Sequence, residues 1–450
     1  MPLPPWQFPV PVRRSRFVAI DDKFAPLNVE VALGDLEPFG LGAKTHDEVL
    51  LYDAQTQLDG SWPGRLGAGR AGLYRGHYLK GVGRTPAAGN WNNPRERYHS
   101  SGHMAPASAA NERLVSAVAK RLRFARAIVP CVGLLAANLT PAEQRAVSAG
   151  KTSSAPARFP ADGRVMAMSA KRGGFSRMSN IVFALDHFPP QPEHVAHLLL
   201  AFERALGVHR PSGAPDDLAA AMDAACERGL AGFDAFARGG LAWLYLQNNF
   251  TLDGRFVDLE LPFYLGVPVA GIAVRKTRAF ALGFEGFSYV AAWRVFVRYL
   301  DMRLAMLDSP LVTGAAHVRA FVRQVRRSIL RRFRSSHWLF DDAALRERAV
   351  SVLAAALGVG SRERAVLTRL ARWAWTSAMG DDPGDPPSAP ELRGARPPLP
   401  MRVFAPAFVP RSPSKLAATF VEARRRAGQA RSARAFLEAV ERGVAEIEVG

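Results

Sequence analysis

The chain has 450 residues, 59 Lys and Arg against 40 Asp and Glu, and a formal net charge of +19. That length accommodates two or three domains, and a hydrophobic share of 48% is enough for a large core. No apolar run reaches the ~20 residues of a membrane span, and two cysteines supply neither a disulfide framework nor a metal-ligand set, so a soluble chain in a reducing cytoplasm is expected.

Residues 1–35 are Pro-rich and then mixed, and read as an extended arm without a secretory h-region. Short apolar runs split by Gly follow at 49–52, 71–74 and 78–79, the pattern of strands in a small twisted sheet. Residues 84–104 read as a polar loop. Residues 107–124 turn helical, with Leu114, Val115, Val118 and Leu122 on one face. Residues 165–168 and 181–185 read as further strands. After Pro189-Pro190 the periodicity becomes helical over 194–206, 216–237, 287–307, 317–333, 343–356 and 362–378, interrupted by a Gly/Asn/Asp hairpin pattern over 241–266. A Pro/Gly-rich linker and two short helices, 415–428 and 433–447, close the chain. The expected organisation is an arm and β-rich lobe (1–188), a helical lobe with a hairpin (189–380), and a linker with a helical tail (381–450). This is an α+β outline of protein-kinase-like, two-lobed type.

Only 8 of the 59 basic residues are Lys. In a chain that writes Arg for surface charge, a Lys that persists is a candidate for work that needs a compact ammonium. Lys80 ends an apolar run and is followed by Gly81-Val82-Gly83. A Lys projecting from a strand beneath a Gly-rich turn can neutralise phosphate oxygens. A second Gly-x-Gly turn, Gly67-Ala68-Gly69 before Arg70, lets backbone N–H groups approach an anion, although a tight β-turn needs the same glycines. Glu112 lies in the 107–124 helix, from which a carboxylate can hold such a Lys; alone it reads as a helix-surface Glu. Asn249 and Asp258 stand nine residues apart across a hairpin with Gly254 at its turn, a spacing that can bring two oxygen ligands to one magnesium ion. Residues 318–334 form an amphipathic helix with seven arginines, readable as a solvated face or as a contact for nucleic acid.

Taken in order, these pieces resemble the SelO (YdiU) family of protein adenylyltransferases. The similarity lies at 66–71, at Leu79-Lys80-Gly81-Val82-Gly83-Arg84-Thr85-Pro86, at Ser101-Gly102, at Glu112 and over 248–258. The Lys-Gly-x-Gly-x-Thr-Pro run is its most specific part. The resemblance implies a kinase-like fold that binds ATP and Mg2+ and moves AMP to a hydroxyl of a protein or peptide. It implies that Gly67, Gly69 and Arg70 cradle the nucleotide, that Lys80 holds phosphate and pairs with Glu112, that Gly102 lines the site, that Arg177 binds phosphate, and that Asn249 and Asp258 hold the metal. The family's proton-accepting Asp falls at Asn248, whose amide is no base near neutral pH. Ser169 lies nearest the position of a first phosphate-binding Arg, with Lys171 or Arg172 as substitutes. Two alternatives stay open: a catalytically weakened nucleotide-binding pseudoenzyme acting through a partner protein, and a basic nucleic-acid-binding protein.

Overall fold

The computed structural model describes residues 6–31, 49–53, 70–83, 102–149, 159–187, 192–208, 215–238, 241–242, 249–260, 263–264, 285–335, 341–357, 360–378 and 415–450. The fold is α+β, built on a curled, eight-stranded antiparallel sheet.

The strands are β1 (Gln7–Arg14), β2 (Val18–Ala19), β3 (Val29–Val31), β4 (Val49–Asp53), β5 (Ala71–Tyr74), β6 (His77–Lys80), β7 (Cys131–Asn138) and β8 (Val165–Arg172). Their order across the sheet is β2-β7-β8-β6-β5-β4-β1-β3. The sheet curls because the edge strand β3 returns to the end of β6, where Val31 N–H donates to the Val82 carbonyl at 2.7 Å. In the β6–β8 ladder Lys80 stands opposite Ser169 and Tyr78 opposite Lys171. Directly paired residues and those two apart share a face, so this register puts Lys80, Ser169 and Lys171 on one face of the sheet.

The first helix, α1 (Pro106–Arg121), starts with Pro at its first position, whose missing N–H is no loss there, and carries Lys120 and Arg121 in its last turn, where the dipole favours cations. It is buried over most of its circumference, including Glu112. A short helix α2 (Pro141–Ala149) follows β7. The helical part consists of α3 (Met178–His187), α4 (Pro192–Ala205), α5 (Pro215–Arg238), α6 (Glu285–Leu307), α7 (Ala316–Ser335), α8 (Asp342–Leu357) and α9 (Ser361–Ala378), with a two-stranded ladder between β9 (Leu241–Ala242) and β10 (Phe263–Tyr264). Phe233, Phe250, Phe256, Tyr289 and Trp293 form an aromatic core joining α5, α6 and the 249–260 segment. Among the described residues, no helix is long and apolar enough to cross a membrane.

The last two helices, α10 (Lys415–Gly428) and α11 (Ala433–Val449), pack back onto α1 and β7. Arg113 of α1 makes a two-pronged pair with Glu441 at 2.8 Å, and Lys120 meets Glu448 at 2.6 Å. Ser432 caps α11 by accepting from Ala435 N–H.

Residues 181–185 are helical, within α3, where the sequence pattern suggests a strand. A five-residue apolar run has no period that separates the two, and here Ile181 to Leu185 are buried on every side. Asn180 accepts from the Arg177 N–H at 2.6 Å and so supports the start of this helix. The arm contains a full strand, β1, and β7 occupies an apolar stretch without alternation.

Candidate functional site

Three stretches meet at one end of β6. The first is the turn after it. Gly81 has φ +100°, and a Cβ there would come within 2.7 Å of the Ala167 carbonyl oxygen, so the chain can lie this close to β8 only as glycine. Gly83 N–H donates to the Gly102 carbonyl at 3.1 Å, which brings Gly102 beside the turn. The second stretch is α1, which carries Asn111 and Glu112.

The third is the 249–260 segment, strapped down on both sides. Phe256 N–H donates to the Ala127 carbonyl at 2.9 Å and Val129 N–H to the Phe256 carbonyl at 2.7 Å. On the other flank Leu252 N–H donates to the Ser176 carbonyl at 2.6 Å, and Arg177 bridges Thr251. Its turn is closed by Thr251 N–H to the Arg255 carbonyl at 2.7 Å, and Val257 N–H donates to the Asn249 carbonyl at 3.0 Å. Gly254 has φ +84°, and any side chain there would strike the Ala225 carbonyl of α5. Asp253 is half-buried at this turn, where it accepts from Thr251 Oγ1 and Arg255 Nε, rather than exposed as its turn position suggests.

The result is a buried cluster of charge. Lys80 Nζ donates to Asp258 Oδ1 at 2.7 Å and also contacts Glu260 Oε1. Glu112 Oε1 lies 3.8 Å from Lys80 Nζ, within ion-pair reach, but its close partner is Lys171 Nζ at 2.6 Å. Arg70 donates to Glu260 Oε1 at 3.2 Å and to the His103 carbonyl at 2.8 Å. Arg177 is buried and its charge reaches Asp258. Burial works against ionisation of Asp258, but Lys80, Lys171 and Arg177 outweigh it and hold the carboxyl well below the usual range. Burial likewise raises Glu260, and Lys80 and Arg70 bring it down overall. Burial would depress Lys80, yet Asp258, Glu260 and Glu112 raise it. All three groups are therefore charged at neutral pH.

One carboxylate oxygen from each of Glu112, Asp258 and Glu260 lies within 4.8 Å of the others. Hard oxygen donors in this number suit a magnesium-like cation, which takes few protein ligands and completes its shell from water or phosphate. Glu112 Oε2 is fully buried and has no hydrogen-bond partner among the described residues, an acceptor with capacity to spare. The donor set thus fits such an ion.

Of the residues singled out in the sequence, Lys80, Glu112 and Asp258 come together directly. Arg70 and Arg177 border them, Gly102 lines the adjoining turn, and Asn249 pairs across the turn that carries Asp258. Gly67, Gly69 and Asn248 lie outside the described residues. Lys171, named above as a substitute for a phosphate-binding Arg, pairs with Glu112, and Glu260 completes the cluster. Glu260 had a sequence signal: Val257-Asp258-Leu259-Glu260 alternates apolar and acidic, which sends both carboxylates to one side of an extended chain. Neither a protein-family model nor a curated protein matches the chain.

Proposed function

We propose that the chain binds a nucleoside triphosphate together with a divalent cation and passes part of it to a hydroxyl, as a divergent SelO-like protein of the two-lobed, kinase-like type. The observation that carries this reading is the sharing of Lys80 by Glu112, Asp258 and Glu260. A strand Lys beside a helix Glu, facing carboxylates from a turn in the other half of the chain, is the charge layout that phosphoryl and nucleotidyl transfer needs. The succession of a sheet and α1 by helices after residue 178 supports the two-lobed arrangement.

In this reading Lys80 and Arg70 neutralise phosphate oxygens, Arg177 adds a further cation, and Glu112 keeps Lys80 aimed. Asp258 and Asn249 hold the cation, ATP being the expected nucleotide and Mg2+ the expected ion. The cation's contribution is charge neutralisation of the phosphate oxygens and orientation of the transferred group. Gly81, Gly83 and Gly102 keep side chains out of the space beside Lys80. The acceptor is a protein or peptide hydroxyl, oriented at Asn248.

A second reading, nucleotide binding without transfer, is favoured by Asn248 itself, since an amide cannot take the hydroxyl proton. The nucleic-acid reading has less behind it. Arg323, Arg326, Arg331 and Arg332, four of the seven arginines of α7, are engaged by Asp308, Asp301, Asp216 and Asp223.

The test is a transfer assay with ATP labelled at the α or the γ phosphate, in Mg2+, with the protein itself and peptide mixtures as acceptors. Label retained from the α position supports AMP transfer, and from the γ position phosphate transfer. Mg2+-dependent ATP binding without transfer, restored by Asn248→Asp, supports the second reading. Absence of both binding and transfer overturns the proposal.

A further inference from the structure

Glu260 is the member of the cluster for which the resemblance supplies no role. Its main-chain carbonyl accepts from Asn111 Nδ2 at 2.7 Å, one residue before Glu112, so its position is pinned to α1. Its side chain is 10% exposed, and Oε1 accepts from both Lys80 and Arg70. These are the two cations assigned above to phosphate. A carboxylate now sits where phosphate oxygens would draw the same donors.

Two further oxygens on residues adjoining this place lack a hydrogen-bond partner among the described residues. Ser169 Oγ is fully buried with no hydrogen-bond partner among the described residues, and it shares a sheet face with Lys80 directly opposite. Glu112 Oε2 is in the same condition. A buried hydroxyl and a buried carboxylate oxygen without hydrogen-bond partners at a cluster of three carboxylates point to a ligand that completes them.

We infer that Glu260 is a second cation-ligating carboxylate beside Asp258, and that the two trade partners: Lys80 and Arg70 in the free protein, a divalent cation when phosphates arrive. This rests on the nucleotide reading above. The argument is one of charge. If Lys80 and Arg70 turn to phosphate, Asp258 and Glu260 are left as buried like charges with oxygens within 4.8 Å, which is unfavourable without a replacement cation. If the cation comes alone, it meets four positive side chains, Lys80, Lys171, Arg70 and Arg177. Nucleotide and cation therefore bind as a pair, each weakly without the other, and Glu260 is what couples them.

The measurement is the affinity of a non-hydrolysable ATP analogue by calorimetry, in excess EDTA and in excess Mg2+. The wild-type protein is expected to gain about 10–100-fold in affinity from Mg2+, within the usual range of coupling between two sites. In Glu260→Gln the affinity in EDTA rises, because the amide competes less for Lys80 and Arg70, and the gain from Mg2+ falls by about tenfold. An unchanged gain in Glu260→Gln overturns the role of Glu260 while leaving the nucleotide reading intact. A wild-type protein that binds the analogue in neither condition overturns both. Should Glu260→Gln fail to fold, Glu260→Asp keeps the charge and shortens the reach: Mn2+ affinity in the presence of the analogue then falls severalfold, and an unchanged value contradicts the inference. In the wild type the analogue must tighten Mn2+ by the same factor that the metal tightens the analogue; independent binding of the two also sinks the exchange.

Discussion

The chain arranges charge in two contrasting ways. On α7 the arginines meet acids at the surface: the side chains of Arg331 and Asp216 are 72% and 71% exposed. Around β6 and α1 the ions are inside: the side chains of Lys171 and Glu112 are both 0% exposed, 2.6 Å apart. Water already satisfies the first kind, so such pairs decide solubility more than stability. The second kind has given up its water, and every charge depends on its neighbours. The residue types follow this division in part: Arg70 and Arg177 are buried at the cluster, but the chain also places two of its eight lysines, Lys80 and Lys171, there, where a compact ammonium can be shared among several carboxylates.

The sharpest way to break this contrast is Lys171→Met. It strands the Glu112 carboxylate, and urea unfolding should show a loss of about 3–5 kcal/mol. The double variant Lys171→Met/Glu112→Leu should recover most of that loss, because removing both charges removes the unpaired one. A single-variant loss no larger than that of a surface pair would place the two kinds of ion pair on the same footing.

A middle case sits between α1 and α10. Asp162 accepts from Ala107 N–H at 3.4 Å, and Arg424 lies nearby. Burial pushes its carboxyl up to about 7. With the folded pKa above that of the unfolded chain, the folded state holds a proton that the unfolded state has lost. Stability then falls as pH rises from about 4 to about 7, by up to about 4 kcal/mol, and levels off above. Asp162→Asn should flatten that slope in urea unfolding at stepped pH. A slope unchanged by the substitution would remove Asp162 from the account.

The smallest effect is expected at the surface. Arg331→Ala should leave the urea midpoint unchanged in high salt and in low. A clear salt-dependent shift would mean that α7 carries more of the fold than its exposure implies.

The helices after residue 190 were legible because their apolar positions recur at helical spacing, β4 as a short apolar run, and β5 and β6 because Gly brackets them. Lys80 was legible because it stands out against arginine, and Asp258 because Gly254 marks the turn that carries it. The short apolar run in α3 carried no period, and β7 is an apolar strand covered on both faces without alternation. Lys171 was legible only as a substitute for a phosphate-binding Arg; its burial and its pairing with Glu112 follow from the register opposite Tyr78 and the approach of α1. Pairings between residues 59 or 178 positions apart, as in Lys171–Glu112 and Lys80–Asp258, belong to the tertiary fold and leave no local trace.

The most direct test of the central claim is a crystal structure of the chain with a non-hydrolysable ATP analogue and Mg2+. The account predicts that Lys80 Nζ leaves Asp258 and Glu260 for a phosphate oxygen while staying within reach of Glu112, and that Asp258 and Glu260 turn to the metal. A Lys80 still held by both carboxylates, with the nucleotide bound elsewhere, would contradict it.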